Sequence, residues 1–303
     1  MNYLIKLIQK KVNQFIQLFE LPLIKKHPFR FACRLLKLKF FHLILRKPFI
    51  ANLTNKLQFL ITKNSISSRN NYLCGLREFE FQIFLLHYLK KKDGFMDIGA
   101  NVGIYSTLAS SHTECHSYAI EPHPKSMVQL KKNIELNQLQ NLISTYEFAL
   151  GAKEAEIKLN NSLDTQNSII TNQSDWVDGI NIHQSTLDSQ FFNHSIQALK
   201  MDVEGYEKEI IKGASSFLAN TSLNCIIIEL SKLSLKYNSN SDDIHNALLS
   251  FGFKPYLYFP FDRQFQEILD IPEEENAIYI RDIEQAKSRV QNADKIKVYG
   301  EWI

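Results

Sequence analysis

Asp97-Ile98-Gly99-Ala100-Asn101-Val102-Gly103 is the stretch on which the reading of this 303-residue chain turns. Phe95 to Ile98 is a short apolar strand and Val102 to Ser110 has helical composition, so both glycines fall in a strand-to-helix turn. Gly99 lets the backbone turn tightly, and Gly103 lets the helix approach a ligand or strand closely. The spacing is G-x-x-x-G. Asn101 and Ile104 stand where a dinucleotide turn needs its second and third glycines, which counts against NAD. Glu121 ends the next strand, 22 residues after Gly99, where a carboxylate accepts both hydroxyls of a ribose. Turn and acid together point to an adenosine-type cofactor.

Outward from the turn, the chain alternates strand and helix. Phe79 to Leu89 is helix-compatible and ends in Lys90, Lys91 and Lys92, favourable at a helix C-terminus. Strands are expected at 95–98, 118–120, 144–150, 196–203 and 225–229, with closing strands at 255–259 and 277–280. Helices are expected between them, one of them opening at Pro124. Strands apolar on both faces, separated by helices, imply an α/β fold with a mostly parallel sheet covered by helices on both faces. Residues 154–187, rich in Asn, Ser and Thr, break the rhythm and are expected to form edge strands or a loop over the site.

Asp97–Gly103, Ala149-Leu150-Gly151, Leu187-Asp188 and Leu199-Lys-Met-Asp-Val-Glu-Gly205 occur in an order and spacing that resemble the FkbM-type methyltransferases over roughly residues 75–260. The glycine turn is common to class I methyltransferases; Lys200–Gly205, with Glu207 and Lys212-Gly-Ala214, is more particular. The resemblance implies a Rossmann-like, seven-stranded class I domain using S-adenosylmethionine (SAM). It also implies O-methylation of sugar or polyketide hydroxyls. By position, Asp97, Gly99, Asn101 and Gly103 would hold the methionine part of SAM, and Glu121 its ribose. The Phe148–Gly151 turn, with Ala149 and Leu150, would border the adenine.

A hydroxyl is a weak nucleophile, so an acid able to accept its proton is expected near the acceptor. Asp202 and Glu204 end the fourth strand, at the sheet edge where open α/β folds bind ligands. Period-two spacing would place Lys200, Asp202 and Glu204 on one side if the strand persists that far, and these three are the catalytic candidates. A structural Lys200–Asp202 ion pair, with Glu204 capping the next helix, is the alternative. Glu229, ending the fifth strand, reads equally as a substrate contact or a strand-end acid.

Thirty-five Lys/Arg against 32 Asp/Glu give a net charge of +3, but residues 1–50 hold eleven cations and one acid, Glu20. That segment, within a basic extension over 1–75, carries helical spacing at Leu4, Ile5, Ile8, Val12, Phe15, Ile16 and Phe19, then at Ala32, Leu35, Leu36, Phe40 and Leu43. Two readings stand: the apolar faces pack on the main domain or a sister subunit, or they lie on an anionic membrane. The methyltransferase domain is expected over 76–285, with a tail over 286–303. Lys6, Lys10 and Lys11 interrupt a signal-peptide core, and no apolar run reaches membrane-spanning length. Four scattered cysteines without C-x-x-C, and His112 and His116 without a third ligand, set the expectation of a cytoplasmic chain with no metal site. No phosphate loop or nucleic-acid module is present, and Asp-Val-Glu-Gly stands where amino-methylating DNA enzymes keep their base-binding residues. The remaining alternatives are a membrane- or partner-binding scaffold with an inactive methyltransferase domain, and an NAD-dependent oxidoreductase.

Overall fold

The computed structural model describes residues 17–160, 179–230, 235, 237, 240–269 and 276–303. The helix expected over the first sixteen residues therefore lies outside the described residues. The chain divides into two units, one formed by residues 1–79 with 295–303 and the other by residues 80–294.

In the first unit, α1 (Pro22–Lys26) and α2 (Pro28–Lys39) both start on a proline, where a missing N–H costs nothing. His27, preceding Pro28, leaves the helical region and ends α1. The helix α2 continues into a π-helical stretch, Phe40–Leu45, which stops at Arg46 in the left-handed region (φ 52°). A hairpin, β1 (Phe49–Asn52) with β2 (Gln58–Ile61), precedes α3 (Ile66–Cys74). Ser65 caps α3 by accepting the Ser68 N–H. Ile24, Phe31 and Cys74 form the centre of the packing. The Arg34 guanidinium lies over the rings of Tyr72 (5.0 Å) and Tyr299 (4.3 Å). The expected tail thus divides: Ile283–Gln291 is a helix of the second unit, whereas 295–303 completes the first.

The second unit opens with α4 (Phe79–Tyr88) and β3 (Gly94–Ile98), followed by α5 (Ile104–Thr113), β4 (His116–Ile120), α6 (Pro124–Leu136) and β5 (Ile143–Tyr146). Next come β6 (Ala149–Leu150), β7 (Ala155–Asn160), β8 (Gly179–Ser185) and α7 (Leu187–Phe191). The rest is β9 (Ala198–Met201), α8 (Glu207–Lys212), α9 (Ser215–Ala219), β10 (Cys225–Glu229), α10 (Ser241–Ser250), β11 (Lys254–Phe259), β12 (Gln264–Glu267), β13 (Asn276–Ile280) and α11 (Ile283–Gln291).

The main sheet runs β12-β11-β13-β10-β9-β3-β4-β5. From β5 to β10 all neighbours are parallel, and β13 inserts antiparallel between β10 and β11. The sheet has eight strands rather than the expected seven. The extra one is β12, a polar edge segment (Gln-Phe-Gln-Glu) with no apolar run to mark it. The strand expected over 144–150 is likewise two: β5 stays in the main sheet, while β6 pairs with β8 in a separate three-stranded sheet with β7. Ile98, Leu199, Met201, Ile226 and Ile228 are buried in one core cluster, as strands apolar on both faces require. Residues 161–178, within the Asn/Ser/Thr-rich segment, lie outside the described residues.

Candidate functional site

The chain order reverses between β3 and β9: from β3 the strands continue one way to β4 and β5, and from β9 the other way to β10. The carboxyl ends of neighbouring strands at such a switch point form a crevice. Register brings the sequence-predicted residues to it side by side, with Asp97 opposite Lys200, Ile98 opposite both Met201 and Ile120, and Ile228 opposite Met201.

The glycine turn is held by backbone contacts. The amides of Gly99 and Ala100 both donate to the Ile120 carbonyl at 3.0 Å. Gly99 has φ 78°, and a Cβ there would lie 1.8 Å from the Asp202 carbonyl oxygen. Gly103 has φ 88°, and its missing side chain makes room for Leu130 of α6. Asn101 is also left-handed (φ 50°), which turns its amide onto Glu121.

Glu121 is buried, and its two oxygens accept the amides of Asn101 and His123, each at 2.8 Å. Each oxygen keeps a lone-pair position for a further donor. Burial raises its carboxyl to about 7, against the pull of the two amides. Asp97 is 1% exposed. Its Oδ2 accepts the amide (3.0 Å) and hydroxyl (2.6 Å) of Ser106, while its Oδ1 is buried with no hydrogen-bond partner. Burial raises the Asp97 carboxyl, and the nearby Lys200 ammonium opposes that rise.

The second half of the site is an acid cluster around one cation. Lys200 is buried, its ammonium 2.6 Å from Asp202 Oδ2 and 4.9 Å from the centre of the Tyr105 ring. Burial raises the Asp202 carboxyl, but the Lys200 charge and hydrogen bond, with one from Glu229, hold it below the ordinary value. Glu229 is raised by burial and by the negative Asp202 and Glu204. Asp202 therefore stays ionised while Glu229 keeps a proton. Glu204 occupies the left-handed region (φ 57°). Its carboxyl rises to about 7, through burial first and then Asp202 and Glu207. Glu207, wholly buried at the start of α8, accepts the amides of Val203 (3.1 Å) and Gly205 (3.2 Å) on one oxygen and fixes the shape of the loop.

Asp97, Gly99, Asn101, Gly103, Glu121, Lys200, Asp202 and Glu204 thus converge on the crevice. Ala149 and Leu150 differ: the Ala149 side chain packs with Leu159 and Ile182, and Leu150 enters the main core. Their side chains are taken up by packing. Sequence reasoning missed Ser106, Tyr105 and Glu207 as parts of the site. The first two sit on α5, where Asp97 and Lys200 must find partners, and the third, noted only as part of the motif after Lys200, gave no sign that it would fix the loop. Among the described residues, no three His, Cys, Asp or Glu side chains are arranged to hold a metal ion.

A mostly parallel sheet with a glycine turn, a buried strand-end acid and an acid cluster at its switch point defines a Rossmann-like domain of the class I methyltransferase type. The methyltransferase FkbM domain matches residues 97–255, just over half of the chain. The chain belongs to that family, and the oxidoreductase alternative gives way to it. Hexuronic acid methyltransferase AglP of Haloferax volcanii is 24% identical over 149 residues, 48% of this chain. The matched region spans 59% of AglP. Among solved structures, the methyltransferase FkbM of Methylobacillus flagellatus KT is 16% identical, covering 71% of this chain and 54% of that one, with a TM-score of 0.44. Aeropyrum pernix fibrillarin, crystallised with natively bound SAM, is 14% identical, covering 66% and 73%, with a TM-score of 0.36.

Proposed function

We propose that this chain is a SAM-dependent O-methyltransferase acting on a hydroxyl of a sugar, glycan or lipid-linked acceptor, on the cytoplasmic side of a membrane. The observation that carries the reading is the pairing of Asp97 and Glu121 at the glycine turn. The unpartnered Asp97 Oδ1 suits an ammonium, and Glu121, with a free position on each oxygen, suits the two hydroxyls of a ribose. With Glu229 protonated and Asp202 paired with Lys200, the partly ionised Glu121 and Glu204 leave the crevice net negative, which favours a cationic ligand. Asp97, Gly99, Asn101, Gly103 and Glu121 are the residues that would hold SAM, which when bound supplies a methyl group on a sulfonium leaving group. The name of AglP supports a sugar acceptor.

Glu204 is the proton acceptor in this reading. Its carboxyl value of about 7 matches the requirement for a base near neutral pH. The acceptor O–H bond breaks towards Glu204 as the oxygen gains its methyl group, leaving the proton on the carboxyl. Lys200 keeps Asp202 ionised, and the Asp202 charge maintains the basicity of Glu204. Calorimetric titration with S-adenosylhomocysteine tests the proposal, with NAD as control. Micromolar binding of the former alone is expected; no binding by folded protein overturns the active-enzyme reading in favour of a scaffold.

A further inference from the structure

The first unit carries an apolar stripe that the packing of its described residues leaves uncovered. On α2 and the π-helical stretch, Phe31, Leu38 and His42 face inward. Phe29, Leu36, Phe40 and Ile44, spaced seven, four and four residues apart, share another face with Leu43 beside them. Phe29 is 81%, Leu36 69% and Ile44 70% exposed. A row of large apolar side chains at helical spacing differs from the scattered single residues that any protein surface shows.

The charge around the stripe identifies what would cover it. Residues 21–77 contain twelve Lys/Arg and no Asp or Glu. Arg30, Lys37, Lys39, Arg46 and Lys47 are exposed on the same helical segment. A second copy of the chain docked stripe to stripe would bring two basic rims together at a cost in repulsion. Nucleic acid would satisfy the cations but would leave Leu and Ile in water, since phosphate contacts bury little apolar surface. An anionic bilayer meets both requirements, taking the apolar side chains below its headgroups and the cations among them. Among the described residues no helix is long and apolar enough to cross a membrane, so the contact is with one surface.

We propose that Phe29, Leu36, Phe40, Leu43 and Ile44, rimmed by Lys and Arg, form a docking face for an anionic membrane surface. This inference stands apart from the methyltransferase reading, because none of these residues belongs to the crevice.

The test is co-sedimentation of the full chain with vesicles of phosphatidylcholine containing phosphatidylglycerol, against phosphatidylcholine alone. Binding is expected to the anionic vesicles and to weaken as salt rises. The double variant Leu36→Ser/Ile44→Ser, at exposed positions, should keep its thermal midpoint and bind at least about tenfold less tightly. Lys39→Glu/Lys47→Glu should lose the preference for anionic lipid, a second route if the serine variant misfolds. Absence of binding by the unaltered chain overturns the proposal, as does wild-type binding by both variants. A dimer in solution that Leu36→Ser/Ile44→Ser splits, without vesicle binding by the parent, overturns it in favour of a face between copies.

Discussion

Replacing Lys200 by methionine tests the electrostatic reading of the crevice directly. Methionine preserves much of the side-chain volume and deletes only the charge 2.6 Å from Asp202. At that distance and an effective dielectric of about 20, the direct attraction is about 6 kcal/mol, most of it offset by desolvation in the native protein. The net cost is bounded by what Asp202 can do instead. Without its partner it takes up a proton, and at pH 7 protonating a group of ordinary value 3.8 costs about 4 kcal/mol, at about 1.4 kcal/mol per pH unit. Because 28% of the Asp202 side chain remains exposed, water screens part of this, and a loss of about 2–4 kcal/mol at pH 7 is expected. The sign with pH follows from linkage. In the variant the Asp202 carboxyl is protonated when folded and ionised when unfolded, so the cost of protonating it falls as pH drops towards the ordinary value of 3.8. The difference between variant and parent should therefore shrink to about 1–2 kcal/mol at pH 5. Urea denaturation of both proteins at the two pH values measures it. A variant as stable as the parent at pH 7, or a deficit that grows in acid, would refute the reasoning.

Four further outcomes follow from the same geometry. Glu204→Gln should lower turnover by about a hundredfold or more while leaving S-adenosylhomocysteine affinity within a few-fold, and should remove the limb of the rate profile near pH 7; full turnover would eliminate Glu204 as the base. Asp202→Asn should shift that limb to lower pH, because a negative neighbour of Glu204 is gone, whereas a simple proton-acceptor role would abolish turnover without moving it. Gly99→Ala, with φ 78° and its Cβ position 1.8 Å from a backbone carbonyl that no rotamer change relieves, should destabilise the protein by at least about 3 kcal/mol and abolish cofactor binding in calorimetry. Glu207 remains protonated to about 7, mainly because it is buried, so unfolding exposes a carboxyl that loses its proton above about 4.5. Stability should fall as pH rises from about 5 to about 8, and Glu207→Gln, which can still accept the Val203 and Gly205 amides, should flatten that slope; an unchanged slope would place the titration elsewhere.

Much of this was legible before any coordinates, because the informative signals were local. The glycine turn must adopt positive φ, and strands buried on both faces must be apolar throughout, so Asp97–Gly103 marked a strand-to-helix turn and the Ile run of β10 a buried strand. What escaped the sequence depended on partners far away in the chain. β12 is an edge strand whose outer side needs no apolar residues, and β6 looks continuous with β5 until β8, some thirty residues on, recruits it. Ala149 and Leu150 carry the same apolar character whether they border a nucleoside or fill a core, so their sequence could not distinguish the two. The acid cluster was partly visible as Asp-x-Glu after Lys200. Only the folded chain shows that Asp202 is tied to Lys200 and that the backbone turns left-handed at Glu204. No residue pattern announces a left-handed glutamate.

The last residues of the chain have a consequence for the order in which it is built. His27 meets Glu301 at 2.7 Å across 274 positions, Gly75 lies against the Tyr299 ring, and the whole of residues 80–294 intervenes. During synthesis, the first unit emerges from the ribosome lacking residues 295–303, which finish it. The sheet-bearing unit is complete in sequence earlier, and contact between segments so far apart is slow to form. The segment that precedes the sheet-bearing unit therefore closes only after that unit is complete in sequence, and loss of residues 295–303 would leave the first unit partly assembled.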